Sequence, residues 1–235
     1  MEAEGLDRFV GRLLVRLQIE GPAVDAVAVA KRLGIVVATD RGMTGRARRC
    51  LLSVGAGRSQ AAIYVCPEER PERRQWSIAH ELGEHLAAEI FAESGLGKQD
   101  ATSERREQSA NDFASALLLP RSRFVRQGET DDWDLPTLKQ VFWSASHALI
   151  ARRIAAVLPG SQVTIVDDGR VTTRLSNANC RSPLQPGECA MLKRCAKSGA
   201  VQERRFANVR LRCWPIHEAA RRREILLTQA TGSEF

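Results

Sequence analysis

The stretch QWSIAHELGEHL, residues 75–86, decides how the rest of the chain is interpreted. It contains the pair His80-Glu81, and a second histidine, His85, follows five positions after the first. Two histidines on one helix with a glutamate beside the first are typical of zinc hydrolases, in which the imidazoles bind the metal and the glutamate takes a proton from metal-bound water. The usual spacing is H-E-x-x-H, and here Glu84 occupies the place of the second histidine.

Helical geometry leaves the second ligand on this stretch open between Glu84 and His85. At 3.6 residues per turn, a residue four positions along lies about 40° from the first, and a residue five positions along lies about 140° away. On a regular helix Glu84 therefore shares a face with His80, whereas His85 joins that face only through a one-residue π-bulge, for which Gly83 is the most flexible site. A third interpretation is that the helix is structural and both histidines lie at its surface. Glu84 is favoured because it needs no distortion of the helix.

A second signal lies downstream in the stretch EQSANDFASALLLP, residues 107–120. Its apolar positions follow helical spacing, and Pro120 marks the end of the predicted helix. Glu107 lies three residues before Ala110 and four before Asn111, so we expect it on the inward face of that helix. A carboxylate on the buried side of a helix is costly unless it is paired or bound to a metal.

Together the two stretches resemble the ImmA/IrrE-type metallopeptidase family. The pattern of that family is an apolar run into A-H-E-L-G-H, followed by E-x-x-A-N-x-F-A-x-x-L-L-x-P. Residues 79–83 and 107–120 match it, and the inserted Glu84 is the departure. The resemblance implies a zincin-like peptidase domain that binds zinc.

The resemblance also implies roles for individual residues. His80 and Glu107 are the implied metal ligands, and Glu81 is the implied general base. Glu84 and His85 are competing candidates for the remaining ligand. A His-Glu-Glu site should hold zinc more weakly than a His-His-Glu site and should accept manganese more readily, since carboxylates suit harder ions.

Composition restricts the class of protein. The 235 residues allow one large or two small domains, and a hydrophobic fraction of 43% supports a buried core. No apolar run approaches the roughly 20 residues of a membrane span, and the first 30 residues lack the pattern of a secretory signal. Six cysteines without such a signal are expected to be free thiols in a reducing compartment, so a cytoplasmic location is predicted.

Residues 1–122 are predicted to form the zincin-like domain. The predicted elements before the His-Glu helix are helices at 5–20 and 24–33 and strands at 35–38, 48–52 and 61–65. The resemblance implies that an edge strand of this domain offers its backbone to an extended peptide substrate.

Residues 123–160 are predicted to be a helix-turn-helix-like segment, in which a polar stretch up to Trp133 precedes a compact pair of helices. Apolar stripes at 135–142 and 148–158 give the two-helix spacing. Helix-turn-helix units read DNA through a basic second helix. Here that helix offers only Arg152 and Arg153, so direct DNA binding is not expected, and packing or substrate docking is the preferred role.

Residues 161–231 are predicted to form a small α/β domain, distantly similar to the GAF-like sensor domains of some family members. The Asp168-Gly169 turn signal between two β-prone runs predicts a hairpin, and the later segments predict one helix and three strands. The cysteines of this region fit no paired zinc spacing and are expected to be buried thiols. Residues 232–235 are compatible with a cloning remnant. The chain as a whole is predicted to be α+β.

The C-terminal region is also basic. Between Arg170 and Glu224 there are 13 Lys and Arg residues and four Glu. A solvated face, a groove for an acidic protein partner and a nucleic-acid surface all remain open for these charges.

Two functions follow from the sequence. The first is a zinc-dependent endopeptidase, for which the resemblance implies a protein substrate, a helix-turn-helix repressor of the XRE type that is cut in response to stress or DNA damage. The second is a non-catalytic regulator, in which the zincin scaffold binds a repressor or DNA and hydrolysis is lost through the altered motif. No membrane association is expected in either case.

Overall fold

The computed structural model describes residues 3–53, 59–68, 70–93, 95, 102–177, 183–206, 208–217 and 221–231. This part of the chain is a mixed α+β fold with two sheets, as predicted. The chain folds into two compact units, residues 1–130 with 137–146 and residues 131–136 with 147–235. The predicted boundaries at 122 and 160 stay predictions, and the cloning remnant predicted at 232–235 lies outside the described residues.

The first unit carries the His-Glu helix. Its elements are Ala3–Arg16 (α1), Ala26–Arg32 (α2), Val36–Thr39 (β1), Ala47–Ser53 (β2), Ser59–Val65 (β3), Pro71–His85 (α3), Ala87–Glu93 (α4), Ser103–Leu118 (α5) and Arg121–Thr130 (α6). The strands form a sheet in the order β1-β3-β2, with β1 parallel and β2 antiparallel to β3. The predicted strands are therefore confirmed, and β2, which contacts α3, lies at an edge of the sheet.

Helix α3 is fixed at its start by a buried polar side chain. Pro71 occupies the first turn, where its missing N–H costs nothing. One turn further on, the buried amide of Gln75 accepts a hydrogen bond from the Ala26 backbone N–H (2.7 Å) and donates one to Asp25 Oδ1 (2.8 Å). Asp25 is also the N-cap of α2, so this contact orients α3 against α2.

Helix α5 is longer than the sequence pattern predicts. Thr102 caps its N-terminus by accepting a hydrogen bond from the Arg105 backbone N–H at 3.3 Å. The helix therefore begins at Ser103, four residues before Glu107, and it ends at Leu118 before Pro120 as predicted. The added first turn brings Arg106 into the helix.

The crossing of α3 and α5 has no room for a side chain at Gly83. A Cβ at that position would stand 3.1 Å from the ring of Phe113 and closer still to the Ala110 backbone. The sequence marks Gly83 as a flexible site for a bulge. In the structure its role is to let two helix backbones approach each other.

The polar stretch after Pro120 is not irregular. It forms α6, because Phe124 is fully buried and its ring lies 5.2 Å from the ring of Phe142. A single buried aromatic residue in an otherwise polar sequence is too weak a periodic signal to predict a helix, so the sequence pattern does not indicate α6.

The second unit contains a five-stranded antiparallel sheet. Its strands are Ser161–Asp167 (β4), Arg170–Ser176 (β5), Gln202–Phe206 (β6), Val209–Pro215 (β7) and Arg223–Ala230 (β8), in the order β5-β4-β8-β7-β6, and its helix Pro186–Ser198 (α9) packs on the sheet beside a buried apolar cluster. The β4–β5 hairpin turns at Asp168 and Gly169, which both have positive φ (49° and 79°), so the predicted Asp-Gly turn is confirmed.

The helix-turn-helix part of the fold prediction stays a prediction. The two helices are Leu135–Val141 (α7) and His147–Val157 (α8), and the division between the two units falls both within α7, after residue 136, and between the helices, after residue 146. Helix α8 packs on β4, β5 and β8. Arg153 is only 8% exposed, so of the two arginines predicted on this helix only Arg152 is exposed.

Among the described residues, no helix combines the length and the apolar character that crossing a membrane requires. The cysteines in the described ranges are free thiols, as predicted. Of those predicted to be buried, Cys195 and Cys213 are buried, the prediction is wrong for Cys189, which is only partly buried, and Cys180 lies outside those ranges.

Candidate functional site

Two predicted ligands, His80 and Glu107, meet across the α3–α5 crossing. His80 Nε2 lies 3.5 Å from Glu107 Oε2, and His80 Nδ1 lies 3.2 Å from Asn111 Oδ1. Asn111 also donates from Nδ2 to Glu107 Oε1 at 3.1 Å. A carboxylate only accepts, so this last bond fixes which end of the Asn111 amide faces His80.

The amide orientation has a consequence for the imidazole. Because Asn111 presents an oxygen, Nδ1 of His80 carries the proton, and in the neutral ring the Nε2 lone pair then faces the carboxylate of Glu107. Two acceptor atoms therefore face each other at this point of the site. An outer residue that fixes tautomer and orientation in this way is typical of histidines that bind metals.

The prediction that Glu107 faces the buried side of α5 is wrong. Its side chain is 64% exposed, whereas that of His80 is 19% exposed. Glu107 lies at the margin of the apolar stripe, where it reaches His80 from the solvent side.

Glu81, the predicted general base, is partly buried beside the edge strand. Burial raises the pKa of its carboxyl, while His80, a hydrogen bond from the Arg49 backbone N–H and the charge of Arg49 oppose the rise, and the charge of Glu84 adds to it. Arg49 belongs to β2. The edge strand therefore contacts Glu81 through its backbone, a contact that the sequence did not predict.

Glu84 shares the side of α3 that faces α5, and it is held there by an arginine. Nη2 of Arg106 donates to Glu84 Oε2 at 2.7 Å. The Glu84 side chain is 22% exposed and that of Arg106 is 43% exposed. Arg106 was not predicted as a site residue because its partner lies 22 positions away and no local pattern marks the pair.

Helix α3 stays regular up to His85, its last residue. Helix α3 is α-helical through His85, and Leu86 N–H bonds Leu82 O at 2.9 Å, which is the ordinary spacing of four residues. The π-bulge is absent there. Nδ1 of His85 is buried without a hydrogen-bond partner, and burial, with help from the Arg49 charge, lowers the pKa of its ring.

The donor set does not fit a three-ligand zinc site as it stands. Within the described ranges, no three His, Cys, Asp or Glu side chains lie close enough together to hold a metal ion. His80 and Glu107 supply two donors, Glu84 is engaged by Arg106, and His85 is turned away from that face. The ligand roles of these four residues and the base role of Glu81 stay predictions.

Comparison with known proteins adds a family and a fold. The profile of Peptidase_M78, described as the IrrE N-terminal-like domain, matches residues 30–154. Comparison with curated proteins gives no match. Among solved structures, a Mycobacterium tuberculosis transcriptional regulator is similar with a TM-score of 0.64 and 18% identity, over 96% of this chain and 87% of that one. At that identity the likeness shows the fold alone.

The matched profile spans more than half of the chain and contains both α3 and α5, the helices that carry His80, Glu81, Glu84 and Glu107. The resemblance of the two motifs is therefore confirmed at the level of the family. This chain belongs to the Peptidase_M78 family of IrrE N-terminal-like domains.

Proposed function

We propose that this chain is a regulatory member of its family that binds a helix-turn-helix transcriptional repressor of the XRE type without cutting it. Family membership is consistent with either a zincin-like protease or a regulator on the same scaffold. The observation that favours the regulator is the ion pair between Glu84 and Arg106, which takes up the carboxylate at the motif position where a metal-binding histidine is usual.

The donor count supports this choice. A catalytic zinc site needs three protein ligands and an open position for water. The described site offers His80 and Glu107 facing each other, and the third donor is neutralised by a guanidinium. The structurally similar Mycobacterium tuberculosis protein is itself a transcriptional regulator, and the proposal places this chain in the same broad class.

A second candidate is the endopeptidase that the sequence predicts, with zinc or manganese as cofactor. It is favoured by a specific observation, the orientation of His80 and Glu107 by Asn111 beside a Glu81 carboxyl of raised pKa. Under this candidate the same repressor is the substrate, and it is cut after stress or DNA damage.

Incubation with purified XRE-type repressors separates the two candidates. The wild-type chain and the Glu81→Gln variant are mixed with each repressor in the presence of zinc or manganese, and binding is followed by fluorescence anisotropy while fragments are followed by mass spectrometry. The regulator predicts equal binding by both proteins and no fragments. Repressor fragments with the wild type that are missing with Glu81→Gln establish the endopeptidase, and the lack of binding to any repressor contradicts both candidates.

A further inference from the structure

Arg106 has no part in the predicted motif, yet it bonds one of the motif residues, Glu84. It is the neighbour of Glu107 on α5 and the partner of Glu84 on α3. The site contains the carboxylates of Glu81, Glu84 and Glu107, and the guanidinium of Arg106 bonds one of them directly.

Glu84 lies one helical turn after His80 on α3. Four residues along a regular helix correspond to a rise of about 6 Å and a rotation of about 40°, so side chains at these positions are neighbours on one face. Both His80 and Glu84 reach α5, the first at Glu107 and Asn111 and the second at Arg106.

A guanidinium and a divalent metal compete for the same carboxylate. The 2.7 Å bond between Arg106 and Glu84 is charge-assisted, and a metal that recruits Glu84 has to break it. The displaced guanidinium then remains close to the metal, where like charges repel. Both effects lower the affinity of the site for a divalent cation.

We propose that Arg106 withholds Glu84 from the metal position, so that the chain binds zinc weakly, and that removal of Arg106 frees Glu84 to complete a His80–Glu84–Glu107 site. The inference rests on the proposed regulatory function and deepens it, because it names the side chain that keeps this site from zinc. Arg106 acts through Glu84 and is a positioning residue.

The test is a zinc titration by isothermal calorimetry, repeated with cobalt to follow its visible absorption. The Arg106→Gln variant should bind one zinc about tenfold more tightly than the wild type, because it loses both the competing bond and the repulsion. The double variant Arg106→Gln/Glu84→Gln should lose this gain. Arg105→Gln is the matched control, since Arg105 is an exposed neighbour on the same turn of α5, and it should bind as the wild type does.

If circular dichroism shows that the Arg106→Gln variant is unfolded, a second variant provides the test. Glu84→His removes the partner of Arg106 and restores the usual H-E-x-x-H spacing, so it should bind zinc more tightly than the wild type. Unchanged or weaker zinc binding by Arg106→Gln, or by Glu84→His where the first variant is unfolded, overturns the proposal, as does tight binding of one zinc by the wild type.

The two proposals fail in different experiments. Zinc affinity is measured without a repressor, so its outcome decides the role of Arg106 alone. Repressor binding and cleavage decide the proposed function. A chain that binds no repressor and gains zinc affinity in Arg106→Gln refutes the function and leaves the role of Arg106 established.

Discussion

Gly83 on α3 lies against Ala110 on α5 so closely that a Cβ at position 83 would stand 2.9 Å from the Ala110 Cα and 3.1 Å from its carbonyl oxygen. The helix positions three residues before and one residue after Gly83 carry His80 and Glu84, and each of these side chains bonds or approaches α5. One glycine therefore sets the separation of two helices on which both side-chain pairs depend.

The Gly83→Ala variant should be less stable than the wild type by about 1–3 kcal/mol, as is usual for overpacking a tight contact. The backbone of Ala110 cannot move aside as a flexible side chain would. Alanine favours a helix by about 1 kcal/mol over glycine, and the expected net loss already includes this gain. Urea unfolding followed by circular dichroism measures the change.

Gly11→Ala provides the control. Gly11 lies within α1, and a Cβ there would meet no atom within 4 Å. The control should gain up to about 1 kcal/mol from helix propensity. If Gly83→Ala gains as much as Gly11→Ala, the close approach of the two helices is not as described.

Asn111 should determine the tautomer of His80. In the wild type the bond to Asn111 Oδ1 keeps the proton on Nδ1, and in Asn111→Ala the proton is free to move to Nε2, where Glu107 accepts it. Long-range nitrogen–proton correlation spectra distinguish the two tautomers, so the variant should show a shift of His80 toward the Nε2–H form at neutral pH.

Gln108→Ala is the matched control for Asn111→Ala. Its side chain bonds Asp112 on the same helix and makes an exposed contact four residues along. The His80 spectrum should not change in this control. An unchanged His80 tautomer in Asn111→Ala would show that the amide does not hold the ring.

Glu81 should destabilise the folded chain at neutral pH. Burial raises the pKa of its carboxyl above the ordinary value of about 4.3, so the folded state holds this proton more tightly than the unfolded state does. This tighter proton binding stabilises the folded state fully at pH values below the ordinary pKa. The stabilisation is lost as the pH rises through the raised pKa of the folded state. Glu81→Gln should therefore be more stable than the wild type at pH 7 and equal to it near pH 4.

Urea unfolding at the two pH values tests this sign. Taking the difference between wild type and Glu81→Gln at each pH removes the effect of other titrating groups. A variant that is less stable than the wild type at pH 7 would mean that the ionised carboxylate is favoured in the folded state.

Local signals in the sequence were sufficient for the elements that carry the site. The His-Glu motif of α3, and the apolar spacing and Pro120 that mark α5 and its end, are all short-range features, and the structure has each of these helices. The pairing of His80 with Glu107 also follows from recognising two motifs that occur together.

The partners that decide the chemistry could not be predicted in this way. Arg106 meets Glu84 across two helices, and the Arg49 backbone N–H reaches Glu81 from a strand. Neither contact produces a periodic pattern in the sequence, because each depends on how closely two elements pack. Gly83 was visible in the sequence, but its meaning as a point of contact with Ala110 required the second helix.

Arg153 should matter for stability, and Arg152 should not. Arg153 is 8% exposed on a helix packed on the second sheet, so Arg153→Ala removes buried side-chain packing and should cost about 1–3 kcal/mol. Arg152 is exposed and makes a long contact of 3.4 Å with Thr173 Oγ1, so Arg152→Ala should change stability by less than about 0.5 kcal/mol.

Thermal unfolding compares the two arginine variants, and Arg152→Ala serves as the matched control because it removes the same charge one residue away. A gel-shift assay at moderate salt completes the test. Tight, sequence-specific DNA binding that disappears in Arg152→Ala would contradict the expectation that this helix does not read DNA.

His85 should make the chain sensitive to mild acid. Burial lowers the pKa of its ring below the ordinary value of about 6.5, with Arg49 adding to the effect, so below that value the unfolded chain takes up a proton that the folded chain resists. The contribution to stability is present above the ordinary pKa and is lost as the pH falls toward the folded pKa. The His85→Leu variant has no such group and should lose less stability between pH 7.5 and 5.5.

At pH 7.5 the His85→Leu substitution should change the free energy of unfolding very little. Nδ1 of His85 is buried without a partner, so leucine removes an unsatisfied polar atom, and the variant should match the wild type or exceed it by up to about 1 kcal/mol. Urea unfolding at both pH values measures the two effects.

Zinc titration of the same variant addresses the competing ligand candidates, because a ring turned away from His80 cannot contribute to the affinity. A large loss of zinc affinity in His85→Leu would mean that α3 rearranges to bring His85 to the metal, and it would restore the bulged helix as the correct description.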